Sequence, residues 1–355
     1  MKRTRRSLLA SLAGGVALLS GCSSGGETDS QTPERGTPTA AFATPTDGER
    51  TETPTETTPT ATPDAVTQAL TASRKHLATA LERVAAADVV TDGQVGIVSS
   101  NAFAEYARAE SPRPPIRRAR ETLDAVSDQA TGRRQQAVNG LLFLCVLLEA
   151  RADEHDALVD GFSSHYQARQ AFPASAPLET IGDAVVRMRT LGERTDDARE
   201  ALGRVEPRAD ALDVAGFGVE ASRERQREFE TIAEEFEPAF AGTRSVMRAV
   251  AMASATAPAI ERGAYEQAEG FAETITIAAE NGHKSLKTAL GRDVRHFHAA
   301  FERDRCLAAG LQRVGERYAA SARAFRNDEP ERGRERYRAA KSALEAAENE
   351  CGIEL

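Results

Sequence analysis

The chain reads as all-α: an antiparallel helical bundle, or an array of helical hairpins, following a disordered stalk. Three observations predict this. From Asp64 onward, apolar residues recur at three- and four-residue spacing over long stretches. No run alternates with period two, as a half-buried strand would. Pro112, Pro114 and Pro115, and later Pro173 and Pro177, punctuate the stripes where helices must end.

The first element is Met1 to Arg6, basic throughout except for Met1 and Thr4, followed by a largely apolar or small run from Ser7 to Ser20. An apolar run of about 14 residues is shorter than the roughly 20 that a permanent membrane helix needs, so 1–21 is expected to be a cleaved signal peptide. Within it, Thr4-Arg5-Arg6-Ser7-Leu8-Leu9 resembles the twin-arginine export motif, with Arg5 and Arg6 as the pair. Leu19-Ser20-Gly21-Cys22 resembles the lipobox of secreted lipoproteins. That resemblance implies a lipid on Cys22, folding before export, and a place on the extracellular face of the cytoplasmic membrane.

Residues 22–63 are dominated by Thr, Pro, Glu, Gly and Ala, with Phe42 the one large apolar side chain. Such a segment buries too little surface to offset chain entropy, so a disordered stalk is expected. It would span roughly 35 Å as a coil and up to about 130 Å as polyproline II. Its Thr hydroxyls are candidate O-glycan acceptors, whereas the chain contains no Asn-x-Ser/Thr sequon.

The helical part divides by pattern into 64–205 and 206–355. Asp64 is placed to cap a helix carrying Val66, Leu70, Leu77, Leu81 and Val84. A looser stretch around Gly93 and Gly96 leads to the prolines, after which Ile116, Leu123 and Val126 start a new stripe. Ala137 to Leu148 is apolar all round and, at about 12 residues, suits the buried centre of a bundle better than a membrane span. A helix then carries Leu178, Ile181, Val185, Met188, Leu191 and Leu202, and Glu206 to Gly218 reads as the loop between the two halves. Beyond it come a stripe of Phe229, Ile232, Phe236 and Phe240, a helix past Ala264, a long segment from Arg292 to Arg326, and a last helix from Pro330 to about Cys351.

Glu261-Arg262-Gly263-Ala264-Tyr265-Glu266-Gln267-Ala268 resembles the Gly-x-Tyr-x-x-Ala turn of tetratricopeptide hairpins, and Asp328 to Gly333 is similar with Pro330 for the Tyr and Gly333 for the Ala. The first-helix pattern departs from that family: Met252, Ala255 and Thr256 stand where Trp, Leu and Gly belong. An Ala-rich antiparallel hairpin with a tight turn and a small residue at the crossing explains the same residues.

Acids outnumber bases 54 to 45, a net charge of −9. Without the four bases of the signal segment it becomes −13 (−9 − 4), so no nucleic-acid partner is expected. Arg in excess over Lys, abundant Ala and surplus acid keep a surface hydrated in concentrated salt, and with the signal this resembles a haloarchaeal lipoprotein.

No HExxH, Gly-x-Ser-x-Gly, phosphate loop or CxxC occurs, and no cofactor is expected. Gly216-Phe217-Gly218-Val219-Glu220-Ala221 imitates a dinucleotide fingerprint but lacks the preceding strand, and reads as a loop opening a helix. His296 and His298 point some 200° apart on a helix and are expected at the margins of a core made by Phe297 and Phe301. His298 with Glu302, four apart, is the metal alternative, needing a third ligand such as His283 with Glu280. Asp153-Glu154-His155-Asp156 reads as a solvated helical face.

Once Cys22 is lipidated three thiols remain, and Cys145 lies in an apolar run. Cys306 and Cys351 stand at equal distances from the Asp328-Glu329 turn and so at one height in an antiparallel hairpin, although Cys306 lies off the apolar stripe. A Cys306–Cys351 disulfide is expected. The function expected is a lipid-anchored, non-enzymatic binding or scaffold module for a protein or peptide partner, the alternative being a metal or small-solute receptor.

Overall fold

The computed structural model describes residues 64–91, 94–96, 100–292, 294, 297–353 and 355, so Arg5, Arg6, Cys22, the expected stalk and His296 lie outside the described residues. The described chain is all-α. Helix α1 spans Ala65–Ala86, with Asp64 accepting a hydrogen bond from the Thr67 amide at 2.9 Å, and it buries Val66, Leu70 and Leu77. Next, two residues of Val90–Thr91 (β1) pair antiparallel with Gln94–Val95 (β2). Helix α2, Ser100–Arg108, occupies part of the stretch expected to be loose. Helix α3 (Arg113–Asp124) starts at the prolines, since a first turn loses nothing when its amides are missing.

Helix α4 runs for 40 residues, Gly132–Ala171, and α5 for 28, Leu178–Val205. The expected loop 206–218 holds a 3-10 turn, Glu206–Arg208, and a one-turn helix α6, Ala209–Leu212, before Asp213 turns left-handed at φ 48°. Helix α7 (Val219–Glu261), α8 (Tyr265–Leu290), α9 (His298–Arg326) and α10 (Pro330–Cys351) complete the fold. Helix α9 begins at His298, six residues after Arg292; Val294 and Phe297 are buried ahead of it instead.

Each long helix packs on the next, α4 on α5, α5 on α7, α7 on α8, α8 on α9 and α9 on α10, while α1 and α3 lie on α4. Two glycines of α9 let its neighbours approach closely. A Cβ on Gly315 would sit 2.9 Å from the Ala272 carbonyl of α8, and one on Gly310 would sit 3.3 Å from the Ala347 Cα of α10. No helix among the described residues is long and apolar enough to cross a membrane.

The expected division at residue 206 is not where the cores divide. One cluster gathers Leu70, Leu77, Leu123, Leu141, Leu144 and Leu148 with Leu202 and Val205; the other gathers Phe162, Met188, Phe229, Phe240, Phe301 and Tyr318. Helices α4 and α5 belong to both, so the boundary crosses their middles. A pattern along the chain marks where elements end, but one helix long enough to leave its first core carries its stripe into a second.

Candidate functional site

Where the two cores meet, a groove of about 410 Å³ opens between α1, the middle of α4 and the start of α7. Ala78, Leu81, Glu82, Val84 and Ala85 of α1 form one wall, and Ala215 to Gly218 with Ala221, Ser222 and Arg225 form the other. Leu147, Leu148, Arg151 and His155 of α4 line it between them, with Asp88 also at the groove. Its volume falls within the range of small-molecule sites, and its lining mixes apolar surface with a few polar groups.

The polar groups are tightly arranged. Arg151, 5% exposed, donates from Nη1 to Glu154 Oε2 at 2.7 Å and from Nη2 to the Ser222 carbonyl at 2.9 Å. Arg225 donates to the Val90 carbonyl at 3.0 Å and to Glu228 at 2.6 Å, and forms an ion pair with Asp88. Asp88 in turn accepts from the Val90 amide at 2.9 Å, at the start of β1. Three of these contacts, Arg151–Ser222, Arg225–Val90 and Arg225–Asp88, join separate elements and tie α7 to α4 and to the segment that follows α1.

Glu154 is fully buried, and burial pushes its carboxyl up to about 7 although the Arg151 guanidinium pulls the other way. Burial, and then the charge of Arg151, push the imidazole of His155 down to about 4, so it is neutral at neutral pH. Its Nδ1 has no hydrogen-bond partner, nor has Glu154 Oε1 or Gln226 Oε1. Gln226 instead spends its amide on the Thr195 carbonyl at 2.7 Å and on Glu230 at 3.1 Å. His155 also borders a second, smaller cavity of about 180 Å³ with Tyr106, Arg113 and Asp156, where the Tyr106 hydroxyl donates to Asp156 at 2.6 Å.

These findings correct the reading of Asp153-Glu154-His155-Asp156 as a solvated face. Asp156 is exposed, but Glu154 and His155 are buried. The signal was present in the sequence: continuing the apolar spacing Leu141, Leu144, Leu148 by three and four gives Arg151, His155, Leu158, Phe162 and His165, all buried. The acidic neighbours Asp153 and Asp156 masked that continuation.

His298 is exposed and Glu302 is engaged by Arg305 at 2.7 Å, while Glu280 pairs with Lys284 at 2.6 Å. The four proposed ligands are not brought together, and no group of three or more metal-ligating side chains gathers among the described residues. Phe297 and Phe301 are buried in the second core. Cys145 is a buried free thiol whose desolvation raises it to about 12, beyond the reach of ordinary thiolate chemistry.

Cys306 and Cys351 are joined, with their Cα atoms 5.7 Å apart. Gly310 and Ala347 lie one turn from each cysteine, and their close contact brings the α9 and α10 backbones near enough to overcome the off-stripe position of Cys306. Gly263 and Asp328 take positive φ, 78° and 60°, in the α7–α8 and α9–α10 turns, and Tyr265 stacks on Phe325 with ring centroids 5.0 Å apart.

The fold and groove define an all-helical body with one cross-braced cleft at the junction of two cores. No family model, curated protein or solved structure matches the chain.

Proposed function

We propose that this is a lipid-anchored, non-enzymatic binding protein of the cell surface that holds a small amphipathic solute in the α1–α4–α7 groove. The observation that carries the reading is the groove itself: about 410 Å³ of largely apolar lining, with Arg151 and His155 buried in its wall and Arg225 of α7 paired with Asp88 after α1. A braced cleft costs little ordering on binding, which is how preorganisation gains affinity. The small-solute reading is favoured over a protein-docking one because the large apolar side chains exposed among the described residues, Val146, Val186, Ile277 and Leu355, are isolated in sequence on three helices and the C-terminus.

The anchor and export signal are supported by the order of Arg5, Arg6 and Cys22 at the N-terminus. With them, the body would stand at the outer face of the membrane on the 22–63 stalk. Cys22→Ser is expected to shed the protein into the medium or leave its precursor uncut; normal processing and retention would remove the lipobox from the reading.

The groove is tested by screening the exported protein for thermal stabilisation by small solutes spanning acids, amines and alcohols. At least one class is expected to raise Tm, and Ala85→Trp or Ala221→Trp, both exposed groove positions, should abolish the gain. If no class stabilises the protein, or if the gain survives both substitutions, the groove is not a ligand site.

A further inference from the structure

We propose that the groove selects an ammonium-bearing ligand, a primary amine on an apolar body, with Glu82 as its counter-ion and the His155 Nδ1 as a hydrogen-bond acceptor. The inference rests on the groove being a ligand site and deepens that reading by naming the chemistry it prefers.

The charges around the groove are unequal. Its two guanidiniums, Arg151 and Arg225, are met by Glu154, Asp88 and Glu228, and the wall adds Glu82, so four carboxylates face two cations. With Glu154 protonated the ratio is still three to two. Of the carboxylates lining the groove itself, Asp88 is held by Arg225, whereas Glu82 is exposed and engaged by no cation among the described residues. An incoming anion would have to displace Glu154 from Arg151, or Asp88 and Glu228 from Arg225, and leave a carboxylate behind without its partner. An incoming ammonium meets a carboxylate that is already free.

The unspent hydrogen-bonding capacity agrees. Arg151 donates to a carboxylate and a carbonyl, and Arg225 to a carboxylate, a second carboxylate and a carbonyl. His155, 3% exposed, borders the groove with Nδ1 unpartnered, and a neutral imidazole always presents one nitrogen lone pair. A ligand donor would relieve that orphan. Leu81, Val84, Leu147, Leu148 and the half-buried Phe217 supply the apolar wall for a hydrocarbon body, and the Phe217 ring adds a face of the kind that attracts cations. The net charge of −9 favours encounter with cations over anions.

The test uses three probes of equal chain length on the exported protein at about pH 8 and fixed ionic strength, hexylammonium, hexanoate and hexan-1-ol, followed by calorimetry or ligand-observed NMR. Hexylammonium is expected to bind at least about tenfold more tightly than hexanoate. Glu82→Gln should weaken hexylammonium about two- to fivefold while leaving hexanol unchanged, the range expected for one solvent-facing ion pair. Ala85→Trp should block all binding. Hexanoate binding as tightly as hexylammonium, or indifference of hexylammonium to Glu82→Gln, would overturn the ammonium preference; if hexanol or hexanoate still binds in a way Ala85→Trp blocks, the groove reading survives. If no probe binds, or if binding ignores Ala85→Trp, both fail.

Discussion

The two cores of this protein are built from the same two long helices and differ in almost everything else. Residues Ala137 to Ala150 of α4 and Ala198 to Val205 of α5 pack an aliphatic core with α1 and α3, in which Ser73, donating to the Ala119 carbonyl at 3.3 Å, is the buried polar side chain. Residues Ala157 to Ala168 of α4 and Ile181 to Leu191 of α5 pack an aromatic core with α7, α8 and α9. There Phe162 touches Phe236 and Phe240 edge-on with centroids 4.7 and 5.3 Å apart, and Asp304 takes bonds from Arg169 at 2.6 Å and Thr243 at 2.7 Å. Between the two stretches lie Arg151, Glu154 and His155 on α4 and Thr195 on α5, all buried and polar. A helix that changes cores must cross a seam where neither apolar face covers it, and the groove has formed there.

The sharpest way to probe that comparison is to hollow each core in turn. Phe162→Ala should cost about 4 kcal/mol and Leu123→Ala about 3 kcal/mol, each in the range for fully buried side chains. Because α4 and α5 run through both cores, denaturant unfolding of either variant should remain a single transition. Two separable transitions would mean that the seam uncouples the halves. Opening the Cys306–Cys351 bridge, 45 residues apart, should cost about 3–4 kcal/mol in the chain-entropy treatment. Hydrogen exchange should then rise in α10 while α1 stays protected; equal loss in both would show that the cores share their stability more evenly than their composition implies.

The seam itself should respond to pH, with opposite signs at its two titrating groups. Glu154 sits at about 7 in the fold against its ordinary 4.5, so it favours folding fully below 4.5 and loses that contribution as pH rises through 7. His155 is depressed to about 4 from 6.5, so its contribution is present above 6.5 and lost as pH falls through 4. Each effect is at most about 3 kcal/mol. The two windows overlap with opposite slopes, so Glu154→Gln should leave the denaturant midpoint rising with pH between about 4 and 6.5 through His155 alone, whereas His155→Leu should leave it falling between about 4.5 and 7 through Glu154 alone. Identical slopes in wild type and Glu154→Gln would show that Arg151 keeps Glu154 ionised throughout.

Much of the fold was legible in the sequence, for a physical reason. Asp64, the Pro112–Pro115 cluster, Pro177 and Pro330 act within a turn of themselves, so helix starts could be placed from local chemistry alone. The start of α9 was missed because Val294 and Phe297 are apolar and buried without being helical, and burial pattern does not distinguish a packed connection from a helix. The height of Cys306 and Cys351 followed from helix rise, but their rotation depended on Gly310 admitting Ala347. The groove was not visible, because its walls come from residues 78–88, 147–155 and 215–225 and no local pattern joins them. Even so, Arg151 and His155 stood on the extrapolated apolar stripe of α4, and a charged or ring-nitrogen side chain on such a stripe marks a place where a core is interrupted.

The smallest expected effect is at His165, and it separates the two ways a core can carry a polar residue. His165 is fully buried in the aromatic core, stacked on Phe240 with centroids 4.0 Å apart and edge-on to Phe297 and Phe301 at 5.1 and 5.7 Å. Neither ring nitrogen has a partner, and burial together with the nearby Arg169 holds its protonated form well below the ordinary histidine range. Asp304, by contrast, is buried with its bonds made. Replacing a buried polar group that has no partner by an apolar one of similar size removes a desolvation cost of about 1–3 kcal/mol. The loss of ring stacking, worth about 0.5–1.5 kcal/mol, works against it. His165→Leu should accordingly leave stability at neutral pH within about 1 kcal/mol of wild type, on the stabilising side, and shift the acid-unfolding midpoint to lower pH, since one buried base that must charge on unfolding is gone. The same substitution logic gives Asp304→Leu the opposite sign, because it strands the Arg169 guanidinium and the Thr243 hydroxyl. Denaturant midpoints at neutral and acid pH read both; a loss of more than about 2 kcal/mol for His165→Leu would mean that the imidazole is bonded within that core after all.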